Sequence, residues 1–241
     1  FSNQGLNPHP SIGNIKTQLQ SVVGNWGSFD PISGQTTNEQ KSFTYKFRNA
    51  SKVTFQAQRI DVKKLINDIK THINNSQQFD TLHTINNLGS LIFHKNESRY
   101  ITEKVAQWTV DLEPRDGHFD RRVTVDVPLD ATGAYKITAN VEGGNTTSIV
   151  YWLNDTTLVK LPTDGGQMYY MADSVSGKPI PDGIVDFYGF RQTRTKEGKL
   201  QYQVKQFVKT TDAKGIVQID KTVAPQNYQW LTSARTPGKR F

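Results

Sequence analysis

The stretch VPLDATGAYKITANVEGGNTTSIVYWL, residues 127–153, consists of two alternating segments joined by a glycine-rich turn. In the first segment the apolar residues recur at every second position, which places them on one face of a β-strand: Tyr135, Ile137, Ala139 and Val141. The alternation resumes over 149–153, and Gly143 and Gly144 between the two segments tolerate a positive φ. The stretch therefore predicts an antiparallel hairpin with one buried face.

Similar segments lie on both sides of this hairpin. Upstream, apolar residues alternate over 43–47, 53–57 and 106–112. Downstream, four short apolar segments are each bounded by turn residues: IVDFYGF, YQVKQFV, GIVQI and NYQWLTSA. Short strands at this spacing are typical of β-sandwiches. We predict a mainly β chain of tandem antiparallel β-sandwich domains, macroglobulin- or immunoglobulin-like, over 41–154 and 155–241.

Two regions depart from the alternation. Residues 1–40 are rich in Gly, Asn, Ser, Gln and Pro, and they predict an N-terminal linker segment with a short helix over 12–23. From Asp61 to Ile73 the apolar residues follow helical spacing, and Asp61 is predicted to cap the start of that helix. A second short helix is expected near Ile85, so that 61–91 forms a helical insertion in the first domain.

The charge of the chain is uneven. The chain has a formal net charge of +7. Residues 187–241 contain 11 Lys and Arg but 3 Asp and Glu, whereas the rest of the chain is nearly neutral. A nucleic-acid-binding fold would show a basic face throughout, so no nucleic-acid partner is expected.

The chain contains no cysteine, which excludes disulfides, cysteine-ligated zinc and thiol catalysis. No apolar run approaches the roughly 20 residues that a membrane-spanning helix requires. The first residues lack the charged start and apolar stretch of a signal peptide, so we expect the chain to begin inside a longer precursor.

Three motifs in this order resemble macroglobulin domains of the bacterial alpha-2-macroglobulin family, and the resemblance covers about residues 41–241. The first opens the hairpin strand with Pro128, Leu129, Gly133, Tyr135 and Ile137. The second is the turn DSVSGKPIPDGIV, with Asp173, Ser176, Gly177, Pro179, Ile180, Gly183 and Val185. The third is a later hairpin with Thr211, Asp212 and Gly215.

This resemblance implies a scaffold segment from the early part of a protease-trapping protein in the cell envelope or secreted. Its partners would be the remaining domains of a longer chain, with proteases as the target of the whole protein. Members often carry a thioester formed by a cysteine, so this cysteine-free segment would not hold the reactive bond. The family pattern continues into a further strand after NYQWLTSA, so the second domain is expected to lack its closing strand. An adhesin-like binding module for a carbohydrate or protein remains the alternative.

No catalytic constellation emerges from the sequence. The chain has no serine elbow, no phosphate loop and no histidine pair at metal-ligand spacing, so we expect no enzyme activity, cofactor or metal. One acidic group could bind calcium, although a solvated turn paired with arginines is favoured: Asp111, Glu113, Asp116 and Asp120. Trp108, Trp152 and Trp230 are predicted to anchor cores rather than to bind sugars.

The most distinctive charged feature is a predicted hairpin whose tip is Lys196-Glu197-Gly198-Lys199. Six basic residues are expected to cluster along it on an exposed face: Arg191, Arg194, Lys196, Lys199, Lys205 and Lys209. An anionic partner or a protease-accessible loop would use such a surface. A solvated edge hairpin, whose lysines block sheet aggregation, is the favoured interpretation.

Overall fold

A computed structural model of the protein describes residues 10–32, 35–36, 41–75, 98–198 and 200–236. The two helices within these residues are α1 (Pro10–Val23) and α2 (Val62–Asn75). The strands of the first half of the chain are β1 (Trp26–Phe29), β2 (Gln35–Thr36), β3 (Ser42–Arg48), β4 (Lys52–Ile60), β5 (Ile101–Asp111), β6 (Arg121–Asp126), β7 (Gly133–Val141) and β8 (Thr146–Asn154). The strands of the second half are β9 (Thr156–Thr163), β10 (Gly166–Asp173), β11 (Ile184–Arg194), β12 (Leu200–Thr210), β13 (Ile216–Asp220) and β14 (Gln229–Arg235).

The hairpin predicted from residues 127–153 is confirmed as β7 and β8. The two strands pair antiparallel with Tyr135 opposite Tyr151 and Ala139 opposite Thr147, and Gly143 in the turn has a φ of 64°. They form the centre of a five-stranded sheet in the order β2-β8-β7-β4-β5. A three-stranded sheet, β1-β3-β6, faces it.

The core between these two sheets is aromatic. Phe43, Tyr45 and Phe47 of β3 face the alternating apolar residues of β4, β7 and β8. Phe55 of β4 contacts both Phe43 and Tyr45 edge to face, with ring centroids 5.3 and 5.2 Å apart, and it stacks on Trp108. Every second residue of these strands lies in this layer. The alternation of apolar residues in the sequence therefore accounts for the core of the first sandwich.

Within the predicted N-terminal linker segment of residues 1–40, the part that follows the helix contains strands where the structure describes it, so the prediction of a linker is wrong there. Trp26–Phe29 is a strand that pairs antiparallel with β3, and Phe29 packs into the aromatic core. Gln35 and Thr36 pair in parallel with Leu153 and Asn154. The sequence pattern did not reveal β1, because this strand contains glycine and polar residues. A strand at a sheet edge tolerates such residues, since the neighbouring strand supplies its hydrogen bonds.

Helix α2 confirms the first part of the predicted insertion. The Lys64 amide donates to Asp61 Oδ1 at 2.9 Å, so Asp61 caps the helix as predicted. Leu65, Ile69 and Ile73 are buried on one face. The second helix, expected near Ile85, lies outside the described residues. Helix α1 spans Pro10–Val23 and so extends the predicted 12–23 helix by two residues at its start.

The second half of the chain forms two further three-stranded antiparallel sheets, β13-β10-β9 and β12-β11-β14. Tyr169, Val185, Phe187, Val217 and Ile219 form the core between them, with Trp230 packed against it. The described chain is therefore mainly β, as the sequence predicted. Its strands pair antiparallel as predicted, except that β2 pairs in parallel with β8. Among the described strands, no ladder pairs one before Asp155 with one after it, and the division into domains at that point stays a prediction.

A third apolar core joins the two halves. It contains the outer face of the five-stranded sheet, the buried face of α2, and Tyr188 and Phe190 of β11. Both the five-stranded sheet and the β12-β11-β14 sheet therefore have apolar residues on both faces. We call this layer the seam, and α2 lies within it.

Candidate functional site

Polar contacts join α2 to β11 across the seam. Lys70 Nζ lies 2.8 Å from Asp186 Oδ2, and the two side chains are 14% and 26% exposed. The same ammonium lies 5.3 Å from the centre of the Tyr188 ring. The Tyr188 hydroxyl donates to the Lys70 carbonyl at 3.1 Å, and burial raises the pKa of this tyrosine to about 12. An ion pair and a tyrosine thus fix the position of β11 on the helix.

A cleft of about 250 Å³ opens beside the seam, where the chain passes from β8 to β9. Its walls include Trp152, Asp155, Thr232 and Arg235. Asp155 is the single residue between the two strands, and its carbonyl accepts a hydrogen bond from the Ser174 amide at 3.0 Å. Because the cleft lies where the chain passes from one half to the other, it marks a joint between the two halves.

The first sequence motif builds a tyrosine corner. The Tyr135 hydroxyl donates to the carbonyl of Ala131, four residues upstream, as recurs in sandwich folds. The guanidinium of Arg59 lies 5.2 Å from the Tyr135 ring and donates to its hydroxyl at 3.0 Å. Gly133 has a φ of 148°, a backbone conformation that residues with a side chain rarely adopt, and this explains the glycine of the motif.

The second and third motifs meet at one buried threonine. Thr211 Oγ1 donates to the Ile180 carbonyl at 2.7 Å and accepts from the Gly183 amide at 2.7 Å. Asp212 Oδ1 accepts from the amides of Lys214 and Ile216, which closes the adjoining turn. The motif residues thus satisfy backbone groups in turns, and they have a structural role.

The five described basic residues of the hairpin lie on β11, β12 and the tip between them, but not on one exposed face. The strand register places Arg191, Lys205 and Lys209 on the side of Phe187, and Arg194 on the opposite side. Lys199 lies outside the described residues. Lys196 is exposed in the tip, whereas Arg191 and Lys205 are half-buried.

Arg191 and Lys205 flank one aromatic ring. The Arg191 guanidinium and the Lys205 ammonium lie 5.0 and 5.5 Å from the centre of Tyr228. Arg191 also donates twice to Gln203 Oε1, at 2.6 and 2.8 Å. At the tip, Arg194 donates to the Gly198 carbonyl at 3.1 Å, and hydrogen bonds from Thr195 and its own backbone keep the pKa of Glu197 below its ordinary value. Most of these cations are thus held in place, which limits the surface available to an anionic partner.

The four acidic residues of the candidate calcium site do not form one. Asp120 lies 2.9 Å from Arg48 Nε and 3.8 Å from Lys46 Nζ, and Glu113 lies 3.2 Å from Arg121. Asp111 ends β5 opposite Lys52, and Asp116 lies in the following turn. Among the residues that the structure describes, no three His, Asp or Glu side chains are grouped to hold a metal ion.

The tryptophans pack as predicted. Trp108, Trp152 and Trp230 each lie against a different apolar core. Trp26 is covered by two cations, Lys46 at 5.1 Å and Arg48 at 5.6 Å from its ring centre. None of the four is an exposed platform of the kind that stacks on a sugar ring.

The seam was not predicted, although a signal for it exists. In IVDFYGF and in SIVYWL, apolar residues occupy consecutive positions, which indicates strands covered on both faces. Phe187 accordingly lies in the second sandwich and Tyr188 in the seam. In β8, Tyr151 lies in the first sandwich and Trp152 in the seam.

Neither of the described helices has the length and apolar character that a membrane-spanning helix needs.

Comparison with solved structures identifies the architecture. Scans against protein-family models and curated proteins find no match. A crystal structure of native alpha-2-macroglobulin from Escherichia coli spanning domains MG0-NIE-MG1 matches 90% of this chain, with 15% identity and a TM-score of 0.58. This chain spans 62% of the length of that structure. A crystal structure of domains NIE-MG1 alone matches 90% of this chain and 95% of its own, with 15% identity and a TM-score of 0.55. The protein therefore has the fold of the NIE-MG1 segment of a bacterial alpha-2-macroglobulin.

Proposed function

We propose that the chain is a scaffold segment of a bacterial alpha-2-macroglobulin-like protein, without catalytic activity of its own. The observation that carries this proposal is the match over 95% of the NIE-MG1 structure, because it includes both halves of the chain in one arrangement. A single sandwich is a common fold with many functions, but a specific pair in tandem is a narrower resemblance.

The seam supports a spacer role. Its apolar core and the Lys70–Asp186 pair hold the two halves in a defined relation, as a segment that positions other domains requires. Each of the three buried side chains on α2 contributes about 1.5–3 kcal/mol when removed from water. The residues that the sequence singled out stabilise turns and strands, and this also favours a structural role.

We further propose that the whole protein traps proteases in the cell envelope or outside the cell, and that other domains of the array precede and follow this segment. The reactive thioester, where one exists, would lie in another part of that protein, because this chain has no cysteine.

The test uses the longest native protein that contains this sequence. It is incubated with trypsin, and the remaining activity is measured on a large protein substrate and on a small chromogenic peptide. Physical trapping predicts that cleavage of the large substrate falls while cleavage of the small peptide persists. The 241-residue chain alone serves as the control and is expected to leave both activities unchanged.

Two results would contradict the proposal. One is equal loss of both trypsin activities, which indicates direct blockage of the active site. The other is a specific hit for the 241-residue chain on a glycan array, which would favour the adhesin-like alternative.

A further inference from the structure

Helix α1 exposes an apolar stripe. Ile15, Leu19, Val22 and Val23 lie at helical spacing and are 62%, 59%, 44% and 39% exposed. None of them belongs to the three apolar cores found in the described part of the chain. A contiguous apolar stripe on a helix marks a surface that is covered when the protein functions.

The helix is attached at one end. Asn49 Nδ2 donates to the carbonyls of Val22 and Gly24, both at 2.9 Å, and Arg48 donates to the Ser21 carbonyl at 3.2 Å. These bonds satisfy the last carbonyls of α1 but do not cover its side. A 14-residue helix that contains Gly13 and ends in two valines is marginal in water without tertiary packing.

The attached end of α1, which carries Val22 and Val23 of the stripe, lies at the end of the first sandwich that is remote from the seam. Asn25, just after α1, bridges to Gly144 in the turn at one end of β7. The other end of β7, at Gly133 and Ala134, lies beside the cleft and the seam. The nine residues of β7 separate these two ends by about 30 Å. A domain that contacts α1 would thus extend the array on the side away from the second sandwich.

We propose that the apolar face of α1 is the docking surface for the folded domain that precedes this segment in the array; the inference rests on the proposed function. The larger E. coli structure contains MG0 ahead of NIE-MG1, and this chain spans 62% of it but 95% of the NIE-MG1 structure. The occupant is therefore the folded domain that corresponds in position to MG0, and it would present an apolar patch to α1. Lys16 is the one charged residue of α1, whereas helices that lie on membranes are typically rich in lysine and arginine.

The experiment compares amide hydrogen exchange of α1 in the longest native protein and in the 241-residue chain. Exchange over residues 15–23 should be about tenfold slower or more in the longer protein, because docking suppresses local opening. Leu19→Glu should abolish that slowing. Thr17→Glu, which adds the same charge on the opposite side of the helix, should retain it. Leu19→Ala removes apolar area yet favours the helix, so a partial loss is expected there.

Three results would overturn the inference. The first is equal exchange of α1 in both proteins. The second is slow exchange that persists in Leu19→Glu. The third is a dimer of the 241-residue chain, or its binding to anionic vesicles, that Leu19→Glu abolishes, since this would assign the face to a second copy or to a membrane. Protease trapping is measured on the same samples. Intact trapping with unprotected α1 defeats this inference alone, and absent trapping with protected α1 defeats the proposed function alone.

Discussion

Thr211 is buried, and its hydroxyl both donates and accepts a hydrogen bond. These two bonds hold the turn at residues 180–183 against the start of the next turn. Thr211→Val keeps the shape but leaves the Ile180 carbonyl and the Gly183 amide without their partner. We expect a loss of about 1–3 kcal/mol in the free energy of unfolding, measured by urea denaturation. Thr210→Val, at the exposed neighbouring position, is the matched control and should change stability by less than about 0.5 kcal/mol. Equal effects of the two variants would contradict the assigned role.

Tyr151 gives an alkaline pH dependence. Burial raises the pKa of its hydroxyl to about 12, and among the described residues this hydroxyl has no hydrogen-bond partner. The unfolded state releases this proton near pH 10 while the folded state still holds it. The stabilisation is therefore complete below pH 10 and is lost as the pH rises towards 12.

The variant Tyr151→Phe tests this dependence. At neutral pH we expect it to be neutral or stabilising by up to about 1 kcal/mol, because an unpaired buried hydroxyl is removed. Between pH 10 and 12 its unfolding free energy should decline less steeply than that of the native chain, as followed by urea denaturation at each pH. A parallel decline in both proteins would show that Tyr151 does not carry the effect.

At the scale of elements, α2 and β11 are coupled through Lys70 and Asp186. A double-mutant cycle with Lys70→Met and Asp186→Asn should give a coupling energy of about 1–2 kcal/mol, because both side chains are mostly removed from solvent. The cycle for Lys41 and Asp130 is the control. That pair is close, at 2.6 Å, but Asp130 is 98% exposed, so the expected coupling is below about 0.5 kcal/mol. Similar coupling energies for the two pairs would show that the position of Lys70 and Asp186 in the seam does not strengthen their interaction.

The hairpin of β11 and β12 makes a prediction about proteolysis. Its ladder is paired up to Arg194 and Leu200, which leaves Lys196 as an exposed site in the tip. Among the described residues, limited trypsin digestion of the native chain should cut first at Lys196. Mass spectrometry of the early fragments measures this. Lys196→Gln should delay that cut, whereas Lys209→Gln should not, because Lys209 lies within the ladder. A first cut within 101–153 would show that the tip is protected.

Whether a helix or strand could be predicted from the sequence depended on how many of its faces are buried. Over most of their length, strands β3, β4 and β7 bury one face in the first sandwich, so their period of two was visible. Asp61 and the spacing up to Ile73 predicted α2 for the same reason. The partner of α2 could not be predicted, because the pattern shows that a face is buried but not which surface covers it. Strand β1 was missed, since four residues with a glycine carry too little pattern.

At the scale of the whole molecule, we expect the seam to make the two halves unfold together. Ile73 is fully buried in the seam, and Ile73→Ala should cost about 2–5 kcal/mol and divide one calorimetric transition into two. Ile137→Ala makes a similar cavity in the core of the first sandwich, and it should lower the melting temperature while the single transition is kept. Two transitions in the native chain would show that the seam does not couple the halves.

The candidate function followed from the sequence less completely than the fold did. Motif residues such as Gly133 and Thr211 could be recognised by their order along the chain, and the structure explains them through turns and a tyrosine corner. The grouping of Arg191 and Lys205 around Tyr228 could not be foreseen, because Tyr228 is distant in sequence and precedes a separate strand. A contact between two residues that lie far apart in the sequence, in elements with no common sequence pattern, becomes visible only in the folded structure.

The single residue between β8 and β9 has a consequence for how tightly the halves must attract each other. Asp155 holds the second sandwich next to α2, so the two surfaces meet as parts of one molecule at an effective concentration in the millimolar range or above. Surfaces that would separate as free domains can therefore stay together in the intact chain. A longer connection would lower the concentration of one half near the other. The shortness of this tether therefore allows the seam to include an ion pair, and to lie beside an open cleft, and still remain closed.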